Sequence, residues 1–112
     1  MVALLAGTAP ALAEGSWTSY IKDWRDNNES RRWEDKQIDE ASTTVTFANC
    51  SDAFSMDTGL YRVVDNWPDT GYGGKVNQCA TSNWGKISTS GKFYFKKLSG
   101  GVVSVGNVTV RY

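Results

Sequence analysis

Asp65 and Asp69, four residues apart, and the adjacent pair Glu34 and Asp35 are the carboxylates whose spacing could do chemistry. Glycoside hydrolysis needs two such groups facing across a cleft. A chain of 112 residues has little depth for a sugar cleft, and acids beside turn residues are ordinarily solvated. Neither pair is therefore expected to be catalytic. The segment Asp65-Asn66-Trp67-Pro68-Asp69-Thr70-Gly71 also gathers oxygens of the kind a hard cation wants. It lacks the residue order of an EF-hand loop, so Asp65 and Asp69 stand as calcium candidates beside the ordinary reading, an Asx-rich turn. The chain has no histidine, which removes Ser-His and Cys-His nucleophile pairs and His-ligated metals. No catalytic residue, resident metal or cofactor is expected, and the chain reads as a binding protein.

Aromatic residues carry the contact chemistry. Five Trp, five Tyr and four Phe are more rings than so small a body can hide completely. Trp67, Tyr72 and Trp84 lie in or beside glycine-rich segments, where rigid rings suit stacking on sugar faces or anchoring a protein interface. Capping the open ends of the fold is their alternative role. A second group, Trp17, Tyr20, Ile21 and Trp24, falls at i, i+3, i+4 and i+7. That spacing predicts one face of a short helix, with Ser16 as its cap and Asn27-Asn28 as its end. So short a helix needs a surface to lie on, either the domain's own core or a partner's groove. Arg31-Arg32-Trp33 could place a planar cation beside a ring, or form an exposed edge strand.

The elements that must position these rings are mostly strands. Residues 43–49 alternate, with Val45 and Phe47 to one side and Thr44 and Thr46 to the other. Residues 92–98 form the clearest aromatic strand, and shorter candidates cover 30–34, 60–65, 75–80, 102–105 and 107–112. Turn chemistry separates them at Asp57-Thr58-Gly59, Asp69-Thr70-Gly71, Gly73-Gly74, Ser90-Gly91, Ser99-Gly100-Gly101 and Gly106-Asn107. The expected fold is all-β: a small antiparallel β-sandwich of six or seven strands with a short N-terminal helix or extended arm and one disulfide. Phe47, Val63, Phe93, Phe95, Val108 and Val110 are the expected core.

Cys50 and Cys79 lack redox or zinc spacing and are expected to form that disulfide. Closing a loop of roughly 30 residues contributes roughly 3.6 kcal/mol in the chain-entropy model. Residues 1–13 are apolar and end in Ala11-Leu12-Ala13, a small-residue cleavage pattern followed by Glu14. They read as a signal-peptide remnant, too short to span a bilayer, which takes about 20 apolar residues. The domain reading is thus 1–13 as leader, 14–28 as an aromatic arm and 29–112 as the sandwich, in a secreted, extracellular protein. Twelve basic residues balance twelve acidic ones, which disfavours nucleic acid and anionic membrane surfaces as partners.

Asp26-Asn27-Asn28-Glu29-Ser30 resembles the calcium box of the βγ-crystallins, except that Arg31 stands where a second serine belongs. Sequons occur at Asn28, Asn49 and Asn107 and would matter only in a eukaryotic secretory pathway. The whole layout, an export signal, an aromatic arm and a disulfide-pinned β domain without catalytic residues, resembles small secreted proteins of actinobacteria: proteinase inhibitors, carbohydrate-binding modules and adaptor subunits of toxin assemblies. The resemblance is one of layout and assigns no residue; on its own residues the chain reads as a non-enzymatic interaction protein. Its arm (Trp17, Tyr20, Ile21, Trp24) would dock on a secreted protein partner. The alternatives are a carbohydrate-binding module stacking glycan on Trp67, Tyr72 and Trp84, and a protease inhibitor presenting residues 65–74.

Overall fold

The computed structural model describes residues 15–37 and 40–112. The expected leader lies outside the described residues. Eight strands follow in chain order: β1 (Ser16–Trp24), β2 (Trp33–Asp35), β3 (Thr44–Cys50), β4 (Met56–Arg62), β5 (Thr70–Asn77), β6 (Thr81–Asn83), β7 (Gly91–Ser99) and β8 (Val103–Arg111). They form two four-stranded antiparallel sheets, ordered β1-β8-β3-β6 and β2-β7-β4-β5. The expected six or seven strands become eight, and no helix occurs among the described residues.

The alternation in β3 and β7 acts as expected. Val45 and Phe47 from one sheet, and Phe93 and Phe95 from the other, are buried in one apolar core. Rings meet across the gap: Trp17 lies 5.7 Å from Trp33, and Phe47 5.9 Å from Phe95. Val108 and Val110 join this core, while Val63, just past the end of β4, is only half-buried. Its N–H instead donates to the Lys92 carbonyl at 2.8 Å.

The expected helix over residues 16–28 is corrected to strand β1. Positions 17 and 21 share a face in either geometry, so the spacing did not discriminate. Pairing with β8 decides it, and two register shifts, between Ser19 and Ile21 and between Ile21 and Trp24, bring Trp24 round to pack against the core. Gly106-Asn107 is likewise no turn. It lies inside β8 opposite the first of those shifts, which is how Val105 and Val108, three apart, both face inward.

The glycines of residues 57–74 lie within strands because side chains cross them. A Cβ on Gly59 would come within 2.8 Å of the Tyr61 ring, and one on Gly74 within 2.5 Å of the Asp57 carboxylate. Gly73, at φ +92, sits in the register shift of β5 that turns Tyr72 toward Phe93. The Cys50–Cys79 disulfide ties the end of β3 to the connection between β5 and β6, with Cα atoms 6.0 Å apart.

Candidate functional site

β1 is an edge strand of its sheet. Gly15 and Tyr112 exchange backbone hydrogen bonds at 2.9 and 3.0 Å, which sets the phase of the antiparallel ladder. Two and four residues on, Trp17 faces Val110 and Ser19 faces Val108 as bonded pairs. The N–H and C=O of Ser16 and Thr18 therefore point away from β8, into space that no hydrogen bond from the described residues fills.

Beside this strand opens a cleft of about 210 Å³, and all four residues of the expected arm line it. Trp17 and Ile21 form its buried floor, Trp24 is half-buried against Phe95 at 5.6 Å, and Tyr20 stands 69% exposed. The opposite wall is Glu29, Ser30 and Arg31. Backbone bonds to β7 hold that wall: Asn27 N–H to Lys97 C=O at 2.7 Å, Lys97 N–H to Asn28 C=O at 3.0 Å, and Ser30 N–H to Phe95 C=O at 2.8 Å. Arg31 carries its guanidinium 5.1 Å above the Trp17 ring. The cleft thus pairs an aromatic floor with a cation and a carboxylate at its rim.

The three loop aromatics differ in burial. Tyr72 and Trp84 are half-buried against the core and meet through Gly73, whose carbonyl accepts the Trp84 indole N–H at 3.0 Å. Trp67 is 75% exposed.

Asp65 and Asp69 are not a matched pair either. Asp65 is exposed, whereas both oxygens of Asp69 are engaged, one by the Val64 N–H at 3.1 Å and the other by the Tyr94 hydroxyl at 2.5 Å. The Tyr94 hydrogen bond, backed by that of Val64, holds the Asp69 carboxyl below its ordinary pKa. Burial first, and the bond to Asp69 second, push the Tyr94 phenol well above its own. Around them the outer face of the second sheet is a ladder of rings and cations: Arg32 lies 5.1 Å from the Tyr94 ring, Tyr94 stacks on Tyr61, and Lys96 lies 4.6 Å from Tyr61. In the crystallin-like box, Asp26 pairs with Lys97, the Asn28 carboxamide accepts the Arg25 N–H at 2.7 Å, and the Ser30 hydroxyl accepts the Phe95 N–H at 3.0 Å. Glu34 and Asp35 part company, one exposed and one buried. No group of three or more possible metal-ligating residues occurs among the described residues.

Two functional candidates escaped the sequence reading. Lys97 is wholly buried, a fact foreshadowed by its place in the i, i+2, i+4 series after Phe93 and Phe95. Arg62 is half-buried with its Nε–H buried and unpaired, and no pattern in the chain marks it. Among the described residues no helix is long and apolar enough to cross a membrane. No family model matches the chain, and no curated protein or solved structure matches it either.

Proposed function

We propose that this chain is a secreted, non-enzymatic interaction protein, an adaptor built on a β-sandwich, that binds a protein partner by accepting a strand along the outer edge of β1. The observation that carries this reading is the unguarded state of that edge. Natural sheets blunt long edges with prolines, charges, irregularities or very short strands. β2 and β6 are three residues long, and β5 is interrupted at Gly73. β1 is itself irregular beyond Ser19 and carries Lys22 and Asp23, but over Ser16-Trp17-Thr18-Ser19 it runs in unbroken register with β8 and offers neither proline nor charge. An added strand would satisfy the outward groups of Ser16 and Thr18 and set every second side chain near the cleft. An apolar side chain would enter against Trp17 and Ile21, with Arg31 and Glu29 reading its polar neighbours.

Thr18→Pro tests the reading, because it deletes an outward N–H and leaves the bonds to β8 in place. Wild-type protein used as bait in the producer's own culture fluid should capture a protein that the Thr18→Pro and Tyr20→Ala variants lose, at unchanged melting temperature. Equal capture by wild type and Thr18→Pro would refute it.

A further inference from the structure

Arg62 is the least explained charge in the molecule. It ends β4 with its side chain lying across Gly91, where a Cβ would come within 3.0 Å of the arginine Cδ. The guanidinium has no hydrogen bond, ion pair or ring contact among the described residues, and its Nε–H is buried without a partner. The Nε–H is closed to solvent, as are the unpaired indole N–H groups of Trp17 and Trp33, so what the half-buried guanidinium offers a ligand is its two terminal amino groups. Arg62 lines a recess of about 400 Å³ together with Val63, Val64, Asp65 and Lys92. That size falls within the roughly 300–1,000 Å³ of small-ligand sites.

Lys92 brings a second cation that is in no ion pair among the described residues, although Glu34 sits opposite it across the β2–β7 ladder. Asp65 adds one acceptor to the rim. The same hairpin connection holds up Trp67, whose N–H donates to the Val64 carbonyl at 3.3 Å and whose ring is unpacked. A fork of donors, a second cation and one acceptor in the recess, with a bare indole face on the same connection, are together the complement of an acidic sugar chain. The anion of one sugar takes the guanidinium and a ring hydroxyl takes Asp65, while Trp67, which does not line the recess, takes the apolar face of a neighbouring sugar.

We propose that Arg62, Lys92, Asp65 and Trp67 form a binding site for an acidic polysaccharide, with the carboxylate or sulfate ester of one sugar seated on Arg62. This site is separate from the β1 edge, so either proposal can fail without the other. The adaptor would then hold a protein partner at one place and an acidic glycan at another.

Calorimetric titration of the whole protein with polygalacturonate, dextran sulfate and neutral dextran at about 0.15 M salt separates the two anions from each other and from mere sugar binding. At least one acidic polymer is expected to bind and neutral dextran is not. Arg62→Gln should weaken binding about tenfold or more, and Lys92→Gln and Trp67→Ala should each weaken it measurably. Because the Nε–H is unpaired, Arg62→Gln should also leave the melting temperature unchanged or raised. Failure of both acidic polymers to bind would overturn the proposal. So would undiminished binding by Arg62→Gln and Trp67→Ala, the mark of diffuse polyelectrolyte attraction. A lowered melting temperature in Arg62→Gln would assign the arginine to the fold instead.

Discussion

The ammonium of Lys97, with no exposed surface, is ion-paired to the carboxylate of Asp26, which is 58% exposed. Lys97 follows Phe93 and Phe95 on the inward face of β7, and Asp26 reaches it from the connection between β1 and β2. Removing the acid strands a buried cation, which in fully buried pairs costs roughly 3–5 kcal/mol. Because water reaches Asp26, Asp26→Ala should fall at or below the lower end of that range. Replacing the lysine by an apolar residue of similar shape removes both the charge and its desolvation cost. Lys97→Met should therefore be neutral or stabilising. Urea unfolding of the two variants checks the contrast, and equal losses in both would show that the pair acts through something other than charge.

The bond between Tyr94 and Asp69 makes stability depend on pH at both ends. Asp69 is held below its ordinary value of 3.8, so the native state favours the carboxylate. Its contribution is complete above that ordinary value and is lost as pH falls through the lowered native one. Tyr94 is displaced the other way: its contribution is complete below 10.0 and drains away as pH rises toward the raised native value. Tyr94→Phe removes the largest cause acting on Asp69. The fall in melting temperature between pH 6 and pH 2.5 should accordingly be smaller in the variant than in wild type. Absorbance titration of tyrosinate should show the last phenol to ionise missing from Tyr94→Phe.

How much of this was legible depended on whether a residue's neighbours along the chain decided its fate. β3 and β7 were, because Val45, Phe47, Phe93 and Phe95 alternate without interruption, and a period of two has one outcome when it meets an apolar core. The disulfide was, because two cysteines without ligand or redox spacing have little else to do. β1 was not: Trp17 and Ile21 share a face in a helix and in a strand, and the choice rests on β8, eighty and more residues away. The glycines at 59, 71, 73 and 74 read as turns until the Tyr61, Asp57 and Leu98 side chains that cross Gly59, Gly71 and Gly74 are in place. The same holds for the sites. The rings at 17, 20, 21 and 24 were visible as a group and do line one cleft, though on a strand. Arg62 gave no signal, because its unpaired state depends on Gly91 and on partners that never approach it.

Deleting residues 14–28 measures how far β1 belongs to the body of the protein. A free arm could be removed at no cost to the melting temperature. Here the deletion takes Trp17 and Ile21 out of the core, takes Trp24 from Phe95, and leaves Lys97 buried without Asp26. Truncating a buried Trp or Ile costs about 2–5 kcal/mol each, and the orphaned lysine adds to that. The sum is comparable to the entire stability of a small domain, about 5–15 kcal/mol. The truncated chain should show no cooperative thermal transition and should lose its near-ultraviolet dichroism. A sharp transition near the wild-type temperature would mean that β8 holds the core without β1.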